Sequence, residues 1–123
     1  MSNEVLILIA YDEPMLRKAL SRVLLRAGYS VLLAEDGRQA LELFIAHRKQ
    51  LDLVILDMNM PNMNGVEAYR EMKTLDPVVK IVMSSGENKA EILHALGEEP
   101  FGILTKPFAL AKLRTQIQSF IQD

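Results

Sequence analysis

Four short apolar runs in this chain lead into residues that can handle a metal ion or a phosphoryl group. Val5–Ala10 leads into Tyr11, Asp12 and Glu13, and Leu53–Leu56 into Asp57. Lys80–Met83 leads into Ser84 and Ser85, and Gly102–Thr105 into Lys106 and Pro107. If these ends share one rim, two carboxylates, a hydroxyl and an ammonium converge there. Hard oxygen ligands with no histidine or thiol suit Mg²⁺ better than a transition metal. An ammonium and a hydroxyl beside them suit the oxygens of a phosphoryl group. A carboxylate can itself be the nucleophile and become an acyl phosphate. The residues alone therefore point to a Mg²⁺-dependent phosphoryl site.

Parallel strands would bring such ends together. The runs, with Val31–Ala34 as a fifth, are too short for buried helices, and several are apolar on consecutive residues. That pattern suits strands covered on both faces. Amphipathic stretches alternate with them. Leu16, Ala19, Leu20, Val23, Leu24 and Ala27 recur at helical spacing, with Pro14 in the first turn and Gly28 as a left-handed stop. Ala40, Leu41, Phe44 and Ile45 make a second stripe, with Asp36 as its N-cap. Val66, Tyr69 and Met72 mark a third helix, and Ile92, Leu93, Ala95 and Leu96 a fourth. Leu110, Leu113, Ile117, Phe120 and Ile121 mark a fifth. Asp76–Pro77 is a turn before the fourth strand, and Asn62 and Asn64 read as turn residues. Five strand-then-helix units predict an α/β fold: a doubly wound, five-stranded parallel sheet with helices on both faces. Ligands of such sheets bind beyond the carboxyl ends of the strands, where strand order reverses.

Composition narrows the alternatives. The chain has 123 residues, half of them hydrophobic and about a quarter charged, with a net charge of −2 and no cysteine. One domain spanning 1–123 is the expected organisation. Thiol chemistry and zinc–thiolate sites are excluded. The slightly acidic balance argues against direct nucleic-acid binding. Val5–Ala10 is far shorter than the ~20 residues needed to span a bilayer, and it lacks the basic flank of a signal peptide. The expectation is a soluble, cytoplasmic protein without membrane contact.

Each site residue also has a plainer role. Asp12 and Glu13 could cap the first helix, Asp57 could be a turn residue, Ser85 before Gly86 is ordinary loop chemistry, and Lys106 could be a solvated lysine. Four such coincidences at four strand ends are a poorer account than one site. His47 and His94 share no ligand spacing with any acid and are expected on solvated helix faces. Met60 is expected beneath the loop after Asp57, and Met58 at the border of the site.

LILIAYDEPMLRKAL resembles the opening of two-component response-regulator receiver domains, and LDLVILDMNMPNMNG their phospho-acceptor segment. IVMSSGE and ILTKPF resemble their two later signatures. The resemblance covers essentially the whole chain and implies a (βα)5, flavodoxin-like fold. It implies Asp57 as phospho-acceptor, with Mg²⁺ held by Asp12, Asp57 and the backbone carbonyl of Asn59, and Glu13 as a further candidate through water. Ser85 would be the hydroxyl that moves to the phosphoryl group, and Lys106 would pair with a phosphoryl oxygen. Family members usually carry a cis peptide at the position of Lys106–Pro107. Partners would be a histidine kinase or phosphotransfer protein. A second copy could join through the face of the fourth helix, fifth strand and fifth helix. The domain would be a signalling acceptor and not an enzyme.

Two residues depart from the family pattern. Glu13–Pro14 fixes the register, so Tyr11 stands where the first of two acids is usual, and weakened Mg²⁺ binding is expected. Ile103 stands where a switching aromatic is common, and Phe101 is a candidate substitute on the same strand face by period-two counting, unless it precedes the strand. Two competing readings follow. One is a receiver-like interaction module that works without phosphorylation. The other is an aspartyl-nucleophile phosphatase similar to haloacid-dehalogenase enzymes, although that family's nucleophile follows the first strand in a D-x-D pattern.

Overall fold

A computed structural model describes residues 4–86, 88–106 and 109–122. The strands are β1 (Leu6–Ala10), β2 (Ser30–Ala34), β3 (Leu51–Asp57), β4 (Ile81–Ser85) and β5 (Gly102–Thr105). They alternate with α1 (Pro14–Arg26), α2 (Gly37–His47), α3 (Gly65–Leu75), α4 (Lys89–Leu96) and α5 (Leu110–Gln122). All strand pairs are parallel, in the order β2-β1-β3-β4-β5. The expected doubly wound α/β architecture is therefore present. Strand order reverses between β1 and β3, which places the switch point beside Asp12 and Asp57.

Side-chain alternation divides the interior into two cores. Leu8, Val54, Leu56, Ile81 and Met83 face α2, α3 and α4, meeting Phe44, Met72 and Ile92. Ile7, Ile9, Leu53, Ile55, Val82 and Leu104 face α1 and α5, meeting Leu20, Leu24, Leu113 and Ile117. The central strands are buried on both faces, which explains their consecutive apolar residues. Edge strand β2 is only partly covered.

Several helix boundaries match the sequence reading. Pro14 opens α1, Gly28 takes φ +93° after it, and Asp36 caps α2 by accepting from the Gln39 amide. Others differ. Asn64 is not merely a turn residue: it caps α3 in a reciprocal box with Glu67, and Asn88 caps α4 in the same manner without the return bond to its own amide. Asn62 does adopt a left-handed turn conformation. Ile45 and Leu110, counted into apolar stripes, are 57% and 47% exposed. Helical spacing finds the face of a helix but not how far the neighbouring element extends over it. His94 is exposed and His47 half-buried. Among the described residues, no helix is long and apolar enough to cross a membrane.

Candidate functional site

β3 carries Asp57 as its last residue, on the same sheet face as Leu53 and Ile55. Its side chain is 4% exposed, and Oδ1 accepts from Lys106 Nζ at 2.8 Å. The Asn59 amide reaches the same oxygen at 3.5 Å. Both bonds go to Oδ1; Oδ2 takes no hydrogen bond among the described residues. Burial raises the Asp57 pKa above the ordinary carboxylate value, and Asp12 adds to the rise. The Lys106 ammonium opposes it without reversing it.

Lys106 follows β5, and its backbone amide donates to the Ser85 carbonyl at 2.9 Å. The ends of β4 and β5 are thus fixed together. Asp12 follows β1, is exposed, and shares an open cleft with Asn59, Met60, Pro61 and Asn64. Residues 12, 57 and 106 therefore meet on one rim, as the sequence implied. Ser84 lies in register with Asp57, and Ser85 with Thr105. Alternation sends Ser84 to the face of Asp57 and Ser85, itself buried, to the α4 side. Glu13 occupies the N-cap position of α1, yet its carboxylate makes no capping bond and is exposed. The capping role expected of it is filled by position only.

Tyr11 does not line the rim. It is wholly buried in the core against α1 and α5, with its hydroxyl on the side of Ser84. Burial pushes the phenol well above its ordinary pKa, so it stays protonated. Its ring lies 5.5 Å from Lys106 Nζ.

In the switch region, the structure decides between the two placements of Phe101. Phe101 precedes β5, and its ring meets Phe120 of α5 edge-on at 6.2 Å, with Lys80 Nζ 5.0 Å from its centre. Ile103 packs into the opposite core, toward α4. Phe101 therefore does not share the face of Ile103, because strand alternation does not extend past the strand's start. Met60 is buried as expected, but Met58 packs into the α2–α4 core. The peptide between Lys106 and Pro107 lies outside the described residues.

A positioning contact went unread in the sequence. Asn62 Nδ2 donates to Asp36 Oδ2 at 2.6 Å, and the Gly37 amide to the Met63 carbonyl at 2.9 Å. The loop after Asp57 is thereby tied to the start of α2. The available signal was the spare oxygen of a capping carboxylate, since Asp36 uses Oδ1 for Gln39. Those bonds, to the Gln39 amide first and Asn62 second, hold the Asp36 carboxyl below its ordinary range. A depressed folded pKa gives stability that is present above the unfolded value and lost as pH falls through the folded one. Asp36→Ala is expected to cost about 1 kcal/mol at pH 7. Urea denaturation should show this gap closing in acid; an equal gap at both pH values would contradict the tether.

The donor set fits a hydrated Mg²⁺. Among the described residues no cluster of three or more acidic, histidine or cysteine ligands exists. Mg²⁺, however, commonly takes one or two carboxylates and keeps several waters. Asp12, the open oxygen of Asp57 and the backbone of Asn59 supply such a set.

Comparison with known proteins agrees with this geometry. The family model "Response regulator receiver domain" matches residues 7–118. The chain is 35% identical to response regulator MprA of Mycolicibacterium vanbaalenii, over 96% of this chain and 51% of that protein. It is 32% identical to sporulation initiation phosphotransferase F of Bacillus subtilis, over 98% of this chain and 96% of that one. A response regulator receiver domain protein of Clostridium thermocellum superposes with TM-score 0.85 at 28% identity, covering 96% of this chain and 94% of that one. The chain spans about half the length of the MprA regulators it matches. These matches and the rim at Asp57 together show that the chain belongs to the response regulator receiver domain family of two-component signalling systems.

Proposed function

We propose that the chain accepts a phosphoryl group on Asp57 from the phosphohistidine of a partner kinase or phosphotransfer protein. The observation that carries this reading is the buried carboxylate with one oxygen held by Lys106 at 2.8 Å and the other open. The open oxygen attacks phosphorus in line and the P–N bond breaks. The electron pair leaves with the donor imidazole, which ends neutral after taking a proton. The product is an acyl phosphate on Asp57. Lys106 then has phosphoryl oxygens to pair with, and Ser85 is the hydroxyl that turns toward them. Mg²⁺ bound by Asp12, Asp57 and the Asn59 carbonyl would supply neutralising charge for the group in transfer.

The added charge favours a conformer in which Ser85 and Ile103 have shifted. That changes the population of the α4–β5–α5 face, which binds a target or a second copy. Residues 1–123 act as one receiver unit in the cytoplasm, where ATP-fed kinases work. The chain is a signalling acceptor and not a turnover enzyme. Family membership turns the choice away from an aspartyl phosphatase. Tyr11 and Ile103 keep an unphosphorylated interaction module as the second reading.

Incubation with acetyl phosphate and Mg²⁺, followed by intact mass, separates the two. Addition of one phosphoryl group, blocked by chelator, is expected; unmodified protein would favour the interaction module.

A further inference from the structure

We propose that Tyr11 is a positioning residue whose buried ring holds the Lys106 ammonium on Asp57 Oδ1. The proposal rests on the phosphoryl-acceptor reading. Lys106 Nζ lies 5.5 Å from the ring centre and 2.8 Å from the carboxylate, so one cation is shared between an aromatic face and an anion. The Lys106 side chain is 31% exposed, and a lysine that open has many solvent-facing rotamers to sample. An aromatic face within about 6 Å restricts that choice.

The ring is itself immobile. Tyr11 is 0% exposed, and its amide donates to the Ala34 carbonyl at 3.1 Å. Its carbonyl accepts from Arg17 Nη1 at 2.6 Å, and Arg17 in turn pairs with Glu35 at 3.6 Å. A side chain fixed by close packing around it and by bonds at its backbone is a rigid support for a mobile one, which is how pre-organisation helps a reaction. Charge gives a second reason. A carboxylate at position 11 would compete with Asp57 for the ammonium, whereas a neutral ring attracts it without offering a second anion. The lysine therefore stays with the nucleophilic carboxylate until phosphoryl oxygens arrive. The ring is the working part, so phenylalanine should replace tyrosine and leucine should not.

Nuclear magnetic resonance of the Lys106 ε-methylene group tests the geometry directly. In the wild type its protons should be displaced upfield of the other lysines by the ring current. The displacement should persist in Tyr11→Phe and vanish in Tyr11→Leu. At saturating Mg²⁺, which removes any difference in metal affinity, labelling by acetyl phosphate should slow roughly tenfold in Tyr11→Leu and change less than about twofold in Tyr11→Phe. A purely structural role for Tyr11 would not move the Lys106 signal selectively. Should Tyr11→Leu not fold, the wild type and Tyr11→Phe decide the matter: displaced signals in both support the proposal. An undisplaced wild-type Lys106 signal overturns it, as does wild-type labelling by a folded Tyr11→Leu. A wild type that takes no phosphoryl group defeats the acceptor reading instead, while the Lys106 signal still decides the ring's role.

Discussion

Gly65→Ala is expected to lower stability by about 3 kcal/mol and to remove phosphoryl acceptance with it. A Cβ at this position would lie 2.1 Å from the Asp57 carbonyl oxygen and 2.9 Å from both the Asp57 carbonyl carbon and the Met58 Cα. All three neighbours are backbone atoms, so no side chain can turn aside. The Gly65 amide also donates to the Met58 carbonyl at 3.0 Å. The first residue of α3 thus rests on the backbone of Asp57 itself, and any relief of the clash displaces Asp57 or the loop bearing Asn59. Denaturant titration should show a lower midpoint with an unchanged slope. A loss within about 0.5 kcal/mol, the range of an ordinary surface change, would contradict the close packing.

Asp57→Asn should act in the opposite sense on stability while also abolishing acceptance. Burial raises the folded pKa of Asp57 above its unfolded value near 3.8. Between those two values the native state holds more protons than the unfolded chain, so stability falls as pH rises through that window. At pH 7 the wild type bears the full cost of a buried anion that Lys106 offsets only in part and that Asp12 repels. Asparagine keeps the shape and removes the charge. A gain of roughly 1 kcal/mol at neutral pH is expected, read as a rise of about 2–6 °C in Tm. The gain should shrink below the unfolded carboxyl pKa, where both proteins are neutral at this position. A less stable asparagine variant at pH 7 would mean that the lysine's attraction exceeds the cost of burial.

The strands and helices were legible because their signals are local. Consecutive aliphatic residues mark β1, β3 and β4, and helical spacing from Leu16 to Ala27 marks α1 with its proline and glycine ends. Asp12, Asp57 and Lys106 were legible for a different reason. A parallel sheet sends every strand's carboxyl end to one rim, so knowing the topology places these residues together without knowing any distance. What depends on tertiary contact was not legible. Tyr11 follows a strand like a rim residue, yet its aromatic area finds more to bury in the core against α1 and α5. Phe101 has the spacing of a strand residue, but lies before β5 and turns to Phe120. Asn62 and Asp36, 26 residues apart, carry no local sign of their bond. Asn64 was read as a turn because a single asparagine serves turns and caps equally; Glu67 three residues on was the clue to its capping box.

With Asp57 as the accepting carboxyl, the new bond forms at position 57 and can be located there. Protein treated with acetyl phosphate and Mg²⁺ can be reduced with borohydride, which converts an aspartyl phosphate to homoserine, then digested and sequenced by mass. Homoserine confined to position 57, and absent when Mg²⁺ is chelated, is the predicted result. Homoserine at another aspartate, or none despite an intact Lys106–Asp57 pair, would contradict it.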